Sequence, residues 1–219
     1  VLCSSEYLKE KVISRSGINR EVHIINNAIS LPQIRHFDSF PSKVQDAINL
    51  LKSLKCSLLY IGTISQWFDF KLICEALDKK EDVQLVLIGP KDCDIPSHKQ
   101  IHYIGSVERQ YIYSLMEQAS ALVMPFIVNE LIRSVNPVKM YEYIYMEKPI
   151  IAPHYGEMEK FLPYINLYHD NDEFMSLVDQ LSKSELQISS EKGNEMKGFA
   201  EKNTWESRYE EVKKILFNV

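Results

Sequence analysis

Short apolar runs alternate with amphipathic stretches along most of the chain. Several of these runs are apolar at consecutive positions, which is typical of strands buried on both faces of a parallel sheet. Each run has the length of an ordinary strand and is followed by polar or turn-forming residues. The strands predicted in this way are residues 22–25, 58–61, 83–88, 101–104, 121–124, 149–152 and 166–168.

Amphipathic helices are predicted between the strands, because apolar residues recur there three and four positions apart. Asp170 and its polar neighbours supply capping groups where one of these helices should begin. Strands that alternate with helices form βαβ units, so the pattern predicts a doubly wound, Rossmann-like α/β domain. The apolar stripes are Phe68, Leu72, Ile73 and Ala76; Ile112, Leu115, Met116 and Ala119; and Phe174, Leu177, Val178 and Leu181.

The pattern divides the chain into four parts. Residues 1–30 read as strand, helix and strand, and we expect them to be the remnant of a preceding domain. Residues 31–50 contain two prolines and no clear strand, which is typical of a linker. The α/β domain is then predicted over residues 51–183, and residues 184–219 form a helical tail that ends in an amphipathic helix over about 205–217.

Composition narrows the class of protein. The 219 residues carry a net charge of −5, whereas a nucleic-acid binder normally has a basic face, so no nucleic-acid partner is expected. The four cysteines form no CxxC pair and favour reduced thiols in a cytoplasmic protein. The longest apolar run, 121–128, contains Pro125 and is much shorter than the roughly 20 residues of a membrane span.

Common catalytic and nucleotide-binding motifs are missing from the sequence. No GxGxxG follows a predicted strand, and neither a GxxxxGK[ST] loop nor a GxSxG elbow occurs, which argues against dinucleotide oxidoreductases and P-loop NTPases. His98 and His102 have the spacing of two metal ligands on one helix face. Pro96 and the predicted strand at 101–104 argue against a helix there, so no metal site is expected.

A candidate anion site follows the predicted strand 121–124. Asn136 is a good helix N-cap and Pro137 is a favoured first helical residue, so a helix should begin at this point. It would start just beyond the carboxyl end of a parallel strand, where doubly wound folds bind ligands. Its first N–H groups would favour a phosphate, and Arg133 and Lys139 would add positive charge on either side.

Glu142 lies one helical turn beyond Val138 and faces the same way. A carboxylate in this position can accept hydrogen bonds from both hydroxyls of a ribose. The alternative is an exposed Glu142 that pairs with Lys139 at i, i+3. The local pattern alone favours this alternative.

A second phosphate candidate is the turn after the strand 58–61. Gly62 allows close approach of the backbone to a ligand, and the hydroxyls of Thr63 and Ser65 can donate hydrogen bonds. An ordinary strand-to-helix turn is the alternative for this segment taken alone. Two such turns that meet in one crevice make a stronger case than either does separately.

The segments YIGTISQWFDFKLI, VQLVLIGP, IHYIGSVERQYIYSLMEQASALVMPF and NPVKMYEYIYMEKPIIAP occur in this order between residues 60 and 153, and the resemblance that they carry extends over residues 58 to about 183. Together they resemble the C-terminal half of bacterial glycosyltransferases of the two-domain GT-B fold, above all the retaining family 4 group. The flanking segments VLCSSEYLKEKV and TWESRYEEV resemble the end of the acceptor-binding domain and the closing helix that crosses back to it.

The resemblance implies that this part of the protein holds a nucleotide-sugar donor. Gly62 and Thr63 would approach the phosphates, and the turn Gly105-Ser106-Val107 would line the base. Asn136 to Val138 would offer N–H groups to the diphosphate. Glu142 would hold the ribose. The resemblance therefore favours the ribose role for Glu142, whereas the local pattern alone favours its pairing with Lys139. No metal or other cofactor is implied.

The resemblance further implies transfer of a hexosyl-type sugar to a glycan or lipid-linked glycan in bacterial polysaccharide biosynthesis. The acceptor and any base acting on it would lie on the preceding domain, which would also mediate peripheral association with the inner face of the membrane. The residues present here would then be inactive alone, and their catalytic residues are unknown.

Several positions depart from the family pattern. Ser134 stands where many members carry a glutamate, and Ser65, Gln66 and Trp67 stand where an arginine and a lysine often follow the glycine. Arg133 and Lys139 would have to replace those cations. Two alternatives therefore stay open: a non-catalytic nucleotide-sugar-binding module, and a sugar-nucleotide epimerase of the same fold.

Overall fold

A six-stranded parallel sheet forms the centre of the molecule. The computed structural model describes residues 1–16, 21–32 and 37–217. The strand order β5-β4-β3-β6-β7-β8 is that of a doubly wound sheet, and the predicted fold class is confirmed. The strands of this sheet are β3 (Cys56–Ile61), β4 (Val83–Ile88), β5 (Ile101–Gly105), β6 (Ala121–Val123), β7 (Ile150–Pro153) and β8 (Asn166–Tyr168). Strands β1 and β2 form a separate two-stranded sheet.

The central strands are apolar at consecutive positions because helices cover both faces of the sheet. All six residues of β3 are buried, and its register with β4 runs unbroken from Cys56 opposite Val83 to Ile61 opposite Ile88. The edge strand β5 is only partly buried, and its Tyr103 is exposed. The consecutive apolar runs therefore mark the strands that lie inside the sheet.

Helices surround this sheet and extend beyond it. The predicted capping at Asp170 is present, because its carboxylate accepts a hydrogen bond of 2.9 Å from the N–H of Glu173. Among the described residues no helix is both long and apolar enough to cross a membrane. The helices are α1 (Glu6–Ser16), α2 (Ser42–Ser53), α3 (Phe70–Lys79), α4 (Ile112–Met116), α5 (Glu130–Arg133), α6 (Val138–Tyr145), α7 (Asn171–Ser182), α8 (Ser190–Lys202) and α9 (Trp205–Phe217).

Residues 1–16 and 21–30 form a small unit that packs against the main domain. Its strands β1 (Leu2–Cys3) and β2 (His23–Ile24) pair in parallel. The Ser5 hydroxyl donates to the carbonyl of Ser134 at 2.9 Å, and the N–H of Glu6, at the start of α1, donates to the Glu157 carboxylate at 2.7 Å. The carboxylate of Glu157 thus caps a helix far away in the sequence.

The predicted linker over residues 31–50 is wrong in its second half. Helix α2 begins at Ser42 and packs its buried residues Val44, Ala47, Ile48 and Leu51 onto the core of the α/β domain. Pro41, which suggested a break, occupies the N-cap position of this helix. Residues 33–36, also within the predicted linker, lie outside the described part of the chain.

The helical tail agrees with the sequence pattern in its elements but not in its packing. Helix α9 has the predicted bounds, and Arg208 on it donates to the carbonyls of Asn26 and Asn27. Trp205, the first residue of α9, is 43% exposed, and the described residues of α9 include none that is buried.

Candidate functional site: a cleft at the carboxyl ends of β3 and β6

A cleft of about 530 Å³ opens where the strand order reverses, at the carboxyl ends of β3 and β6. Ligands of doubly wound sheets bind at this switch point, and the volume is in the range of small-molecule sites. One wall is the start of α6, and the other is apolar and aromatic. The lining residues are Asn27, Tyr60, Thr63, Trp67, Arg109, Met124, Phe126, Leu131, Ile132, Val135, Asn136, Pro137, Val138, Lys139 and Glu142.

The start of α6 offers backbone donors to the cleft. Pro137 is the N-cap residue, with φ −80° and ψ 116°, and its side chain supplies no capping hydrogen bond. Within the described part of the chain the N–H groups of Val138 and Lys139 have no hydrogen-bond partner, whereas the N–H of Met140 bonds to the Pro137 carbonyl at 3.1 Å. Unpartnered amides at a helix N-terminus attract an anion.

The predicted capping role of Asn136 is wrong, because its side chain is committed elsewhere. Asn136 is buried, and its Oδ1 accepts from the N–H of Asn27 at 2.8 Å. Its carbonyl accepts from the Asn27 side chain at 2.6 Å, and its Nδ2 donates to the Glu157 carboxylate at 3.2 Å. Helix α6 accordingly begins at Val138, one residue later than Pro137, and Asn136 holds this start against the segment around Asn27.

Lys139 brings a positive charge to this helix start. Its side chain is half-buried, and the described residues offer it neither an ion pair nor a side-chain hydrogen bond. Burial lowers the pKa of Lys139 below its usual value, the nearby charge of Glu142 opposes this shift, and that of Arg109 reinforces it. A half-buried ammonium without an acceptor is costly for the folded protein and is a natural partner for an anionic ligand.

Only glycine fits the turn after β3. Gly62 has φ +154°, and a Cβ placed there would lie 2.5 Å from Nζ of Lys139 and 2.9 Å from the Tyr60 hydroxyl. The carbonyl of Gly62 in turn abuts Gly89, whose own Cβ would lie 2.8 Å from the Gly62 carbonyl carbon. The absence of a side chain at Gly62 therefore leaves room for the Lys139 side chain at the edge of the cleft.

Glu142 faces the cleft rather than bulk solvent. Its side chain is 15% exposed, and one carboxylate oxygen accepts a hydrogen bond of 2.9 Å from the guanidinium of Arg109. Arg109 lies in a 3₁₀ turn, Arg109–Tyr111, that follows β5. The pairing of Glu142 with Lys139, which the local pattern favoured, is not formed; the salt bridge is with Arg109 instead.

Two tyrosines hold the end of β3 in place. The hydroxyl of Tyr60 donates to the carbonyl of Thr63 at 2.8 Å, and that of Tyr143 accepts from the N–H of Ile61 at 3.1 Å. Burial raises the pKa of both phenols far above the usual value, so both stay protonated. These bonds fix the turn that carries Gly62 and Thr63 relative to α6.

The predicted donor-binding residues divide between the cleft and other places. Thr63, Pro137, Val138, Lys139 and Glu142 line the cleft, and Asn136 does so beside its structural bonds. Gly62 adjoins it through Lys139. The roles of these residues in binding stay predictions.

Four other predicted residues lie outside the lining of the cleft. Ser65 is buried in the turn after β3, and Gly105 and Val107 lie at the end of β5, where the Gly105 carbonyl accepts from the N–H of Gly89 at 3.0 Å. Arg133 lines a second cavity of about 500 Å³, which we call the α1-side pocket. Its lining residues are Glu6, Tyr7, Glu10, Val128, Arg133, His154, Tyr155, Gly156 and Glu157.

Several residues of the cleft were not predicted from the sequence. Arg109 is the most important of them. It follows β5, and the carboxyl ends of parallel strands meet at one edge of the sheet, so this rule places the segment with Arg109 next to the cleft. Trp67 was noted only for the cation that it replaces. Tyr60, Trp67 and Phe126 form the aromatic wall, and nothing in the sequence indicates it except that these residues lie next to strand ends.

Comparison with known proteins shows a distant relative over nearly the whole chain. TuaH of Bacillus subtilis strain 168, provisionally named a teichuronic acid biosynthesis glycosyltransferase, is 24% identical over 227 aligned positions. The alignment covers 98% of this chain and 55% of TuaH. No family model matches the chain.

Solved structures share the fold at low sequence identity. HepE of Anabaena, in complex with UDP-glucose, has a TM-score of 0.75 at 12% identity, covering 100% of this chain and 64% of HepE. A trehalose-6-phosphate protein of E. coli, bound with UDP-2-fluoro glucose, has a TM-score of 0.77 at 12% identity. The match covers 100% of this chain and 60% of the E. coli protein. Sucrose-phosphate synthase of Thermosynechococcus elongatus has a TM-score of 0.71 at 13% identity. The match covers 98% of this chain and 57% of the synthase.

The solved structures show the fold: the chain has the architecture of the C-terminal half of a GT-B-fold glycosyltransferase. The fold that the resemblance of the sequence segments implied is thereby confirmed. The chain spans between 55% and 64% of the length of TuaH, HepE and the E. coli protein.

Proposed function

We propose that the cleft binds a nucleoside diphosphate sugar and that the protein donates this sugar in a glycosyl-transfer reaction. The observation that carries the proposal is the convergence, at one end of α6, of amides and a half-buried lysine that have no partner among the described residues, with a carboxylate one turn further on. HepE and the E. coli protein, which share the fold, are described with UDP-glucose and UDP-2-fluoro glucose. UDP-sugars are therefore the first donors to test.

Each group in the cleft has a role in this proposal. The N–H groups of Val138 and Lys139 and the Lys139 ammonium bind the diphosphate, and Gly62 leaves room for the Lys139 side chain. Glu142 accepts hydrogen bonds from the ribose hydroxyls, and the aromatic wall around Trp67 contacts the flat face of the sugar. These groups would stabilise the departing nucleoside diphosphate by electrostatics, without covalent catalysis and without a metal ion.

Transfer of the sugar requires an acceptor, and we propose that the acceptor contacts a part of the protein that these residues do not include. TuaH, HepE and the E. coli protein are each longer than this chain, which spans between 55% and 64% of their lengths. We propose that the acceptor is a glycan or lipid-linked glycan, that a hexosyl-type sugar is transferred with retained configuration and that the reaction serves polysaccharide synthesis in a bacterial cytoplasm. The residues present here would bind the donor but turn it over little or not at all.

A second candidate is a non-catalytic nucleotide-sugar-binding module, and Ser134 favours it. The hydroxyl of Ser134 donates to the Leu131 carbonyl at 2.6 Å and its own carbonyl accepts from Ser5, so neither is directed to a ligand. Many family members carry a glutamate at this position, and the carboxylate that it would supply is missing here. Assay of sugar transfer with protein that includes the acceptor-binding part separates the two candidates, because a module gives no turnover with any donor.

The proposal predicts selective stabilisation by one nucleoside diphosphate. In a thermal-unfolding screen with UDP, GDP, TDP and CMP, a ligand present at 100 to 1,000 times its dissociation constant should stabilise the folded protein by about 3 to 4 kcal/mol. Inorganic phosphate at the same concentration is the control for non-specific anion binding. If no nucleotide in the panel stabilises the protein more than phosphate does, the proposed function is wrong.

A further inference from the structure

The salt bridge between Arg109 and Glu142 joins two walls of the cleft. Arg109 belongs to the turn after β5, and Glu142 belongs to α6, on the other side of β3. The two side chains differ in exposure, at 70% for Arg109 and 15% for Glu142. The guanidinium is therefore a solvated group that reaches into the cleft, whereas the carboxylate is held in its wall.

This salt bridge is easily exchanged for other bonds. A single hydrogen bond of 2.9 Å joins one guanidinium nitrogen to one carboxylate oxygen, rather than the paired bonds of a fork-to-fork contact. Ion pairs with one well-exposed partner contribute little to stability. Arg109 can thus leave Glu142 at small cost, provided that the carboxylate gains new donors.

A third polar group lies beside the pair. The hydroxyl of Tyr113 is buried, and no hydrogen-bond partner is found for it among the described residues. Burial raises the pKa of Tyr113 to about 12, with a smaller contribution from the negative charge of Glu142. A buried hydroxyl without a partner is uncommon in folded proteins. The charges of both Glu142 and Arg109 act on Tyr113, which places its hydroxyl next to the pair.

The charges in the cleft do not match a diphosphate unless Arg109 takes part. Lys139 is a single cation, and a nucleoside diphosphate carries more than one negative charge. Arg133 lines the α1-side pocket instead of the cleft. Among the residues that line the cleft, Arg109 is the other cationic side chain, and it is tied to the carboxylate that a ribose would need.

We propose that Arg109 is a nucleotide-binding residue that exchanges partners: the ribose hydroxyls replace it on Glu142, and its guanidinium moves to the diphosphate. This inference rests on the proposed nucleotide binding and adds a residue and a specificity to it. A nucleoside without phosphates must break the salt bridge and offers Arg109 nothing in return. The exchange therefore selects the diphosphate form of the nucleotide over the nucleoside.

The test compares Arg109→Ala with the unaltered protein, using UDP and uridine as probes in titration calorimetry. UDP affinity should fall about tenfold because a charge-assisted bond to phosphate is lost. Uridine affinity should stay the same or rise a few-fold, because Glu142 is no longer paired. Arg109→Lys, which keeps the charge, should retain most of the UDP affinity.

Lys55→Ala is the matched control, since Lys55 pairs with Asp82 at 2.9 Å at the opposite, amino end of the sheet. It should bind both probes as the unaltered protein does. If Arg109→Ala changes UDP and uridine affinity by the same factor, or changes neither, the exchange is wrong while the proposed function survives. If the unaltered protein binds neither UDP nor uridine, the proposed binding of UDP itself is wrong.

Discussion

The cleft and the α1-side pocket are lined by neighbouring positions, 135–139 in the cleft and Arg133 in the pocket, and have similar volumes, yet their polar groups are satisfied very differently. In the α1-side pocket the buried Glu157 carboxylate bonds to the N–H of Glu6, to Asn136 and to Lys160. In the cleft, Lys139 and the first amides of α6 have no such partners within the described residues.

On the proposed function, this difference separates a structural contact from a binding site. A fully bonded carboxylate mainly holds two segments together, whereas partly buried donors without a protein partner are available to a ligand. The α1-side pocket joins the N-terminal unit to the α/β domain. In the proposed function the cleft binds the anionic diphosphate. Mutations on the two sides should therefore have unequal effects on nucleotide affinity.

The largest effect is expected for Glu142→Ala. Loss of hydrogen bonds from two ribose hydroxyls to a carboxylate should lower nucleotide affinity by about a hundredfold, since each bond to a charged group contributes roughly 1.5 kcal/mol or more. The readout is the shift in unfolding temperature caused by UDP, or by the nucleotide that the screen selects. Glu142→Gln keeps an acceptor and should lose less. A variant Glu142→Ala that binds as well as the unaltered protein would contradict the ribose role.

A smaller loss, about ten- to thirtyfold, is expected for Lys139→Met, because one bond to the diphosphate disappears. The same change should leave the unfolding temperature without nucleotide unchanged or higher, since a half-buried charge is replaced by an apolar side chain of similar length. Calorimetry and thermal unfolding measure the two quantities. A variant that is less stable and binds normally would show that Lys139 is structural.

Lys139 should also give nucleotide binding a pH dependence. Lysine is charged below its pKa, and burial lowers that pKa from 10.5, so affinity should begin to fall at a lower pH than an ordinary lysine would allow. Lys139→Arg stays charged and should flatten this fall over the same pH range. Equal pH profiles for the two proteins would exclude a role for the Lys139 proton.

The smallest effect is expected for Arg133→Ala. This residue was predicted from the sequence to neutralise the diphosphate, but the structure places it in the α1-side pocket. Nucleotide affinity should change less than twofold in calorimetry. A loss as large as that of Lys139→Met would remove the distinction between the two cavities.

Much of the fold follows from the sequence because its signals are local. Consecutive apolar residues in β3 and β4 reflect burial on both faces, and Asp170 caps α7 through a bond to a residue three positions away. The position of Glu142 on the cleft side of α6 follows from the helical repeat and the strand that precedes it.

The remaining features depend on contacts between distant positions. The side chain of Asn136 is captured by Asn27, 109 positions earlier, so it cannot cap α6. The partner of Glu142 is Arg109, 33 positions away, and not the nearby Lys139. Neither choice can be predicted from local pattern, because each depends on how separate loops meet at the edge of the sheet.

The most direct measurement is a structure of the protein crystallised with UDP. The account predicts the β-phosphate within hydrogen-bond distance of the N–H groups of Val138 and Lys139, and both ribose hydroxyls on the Glu142 carboxylate. A diphosphate bound elsewhere on the protein, or a ribose that leaves Glu142 untouched, would contradict it.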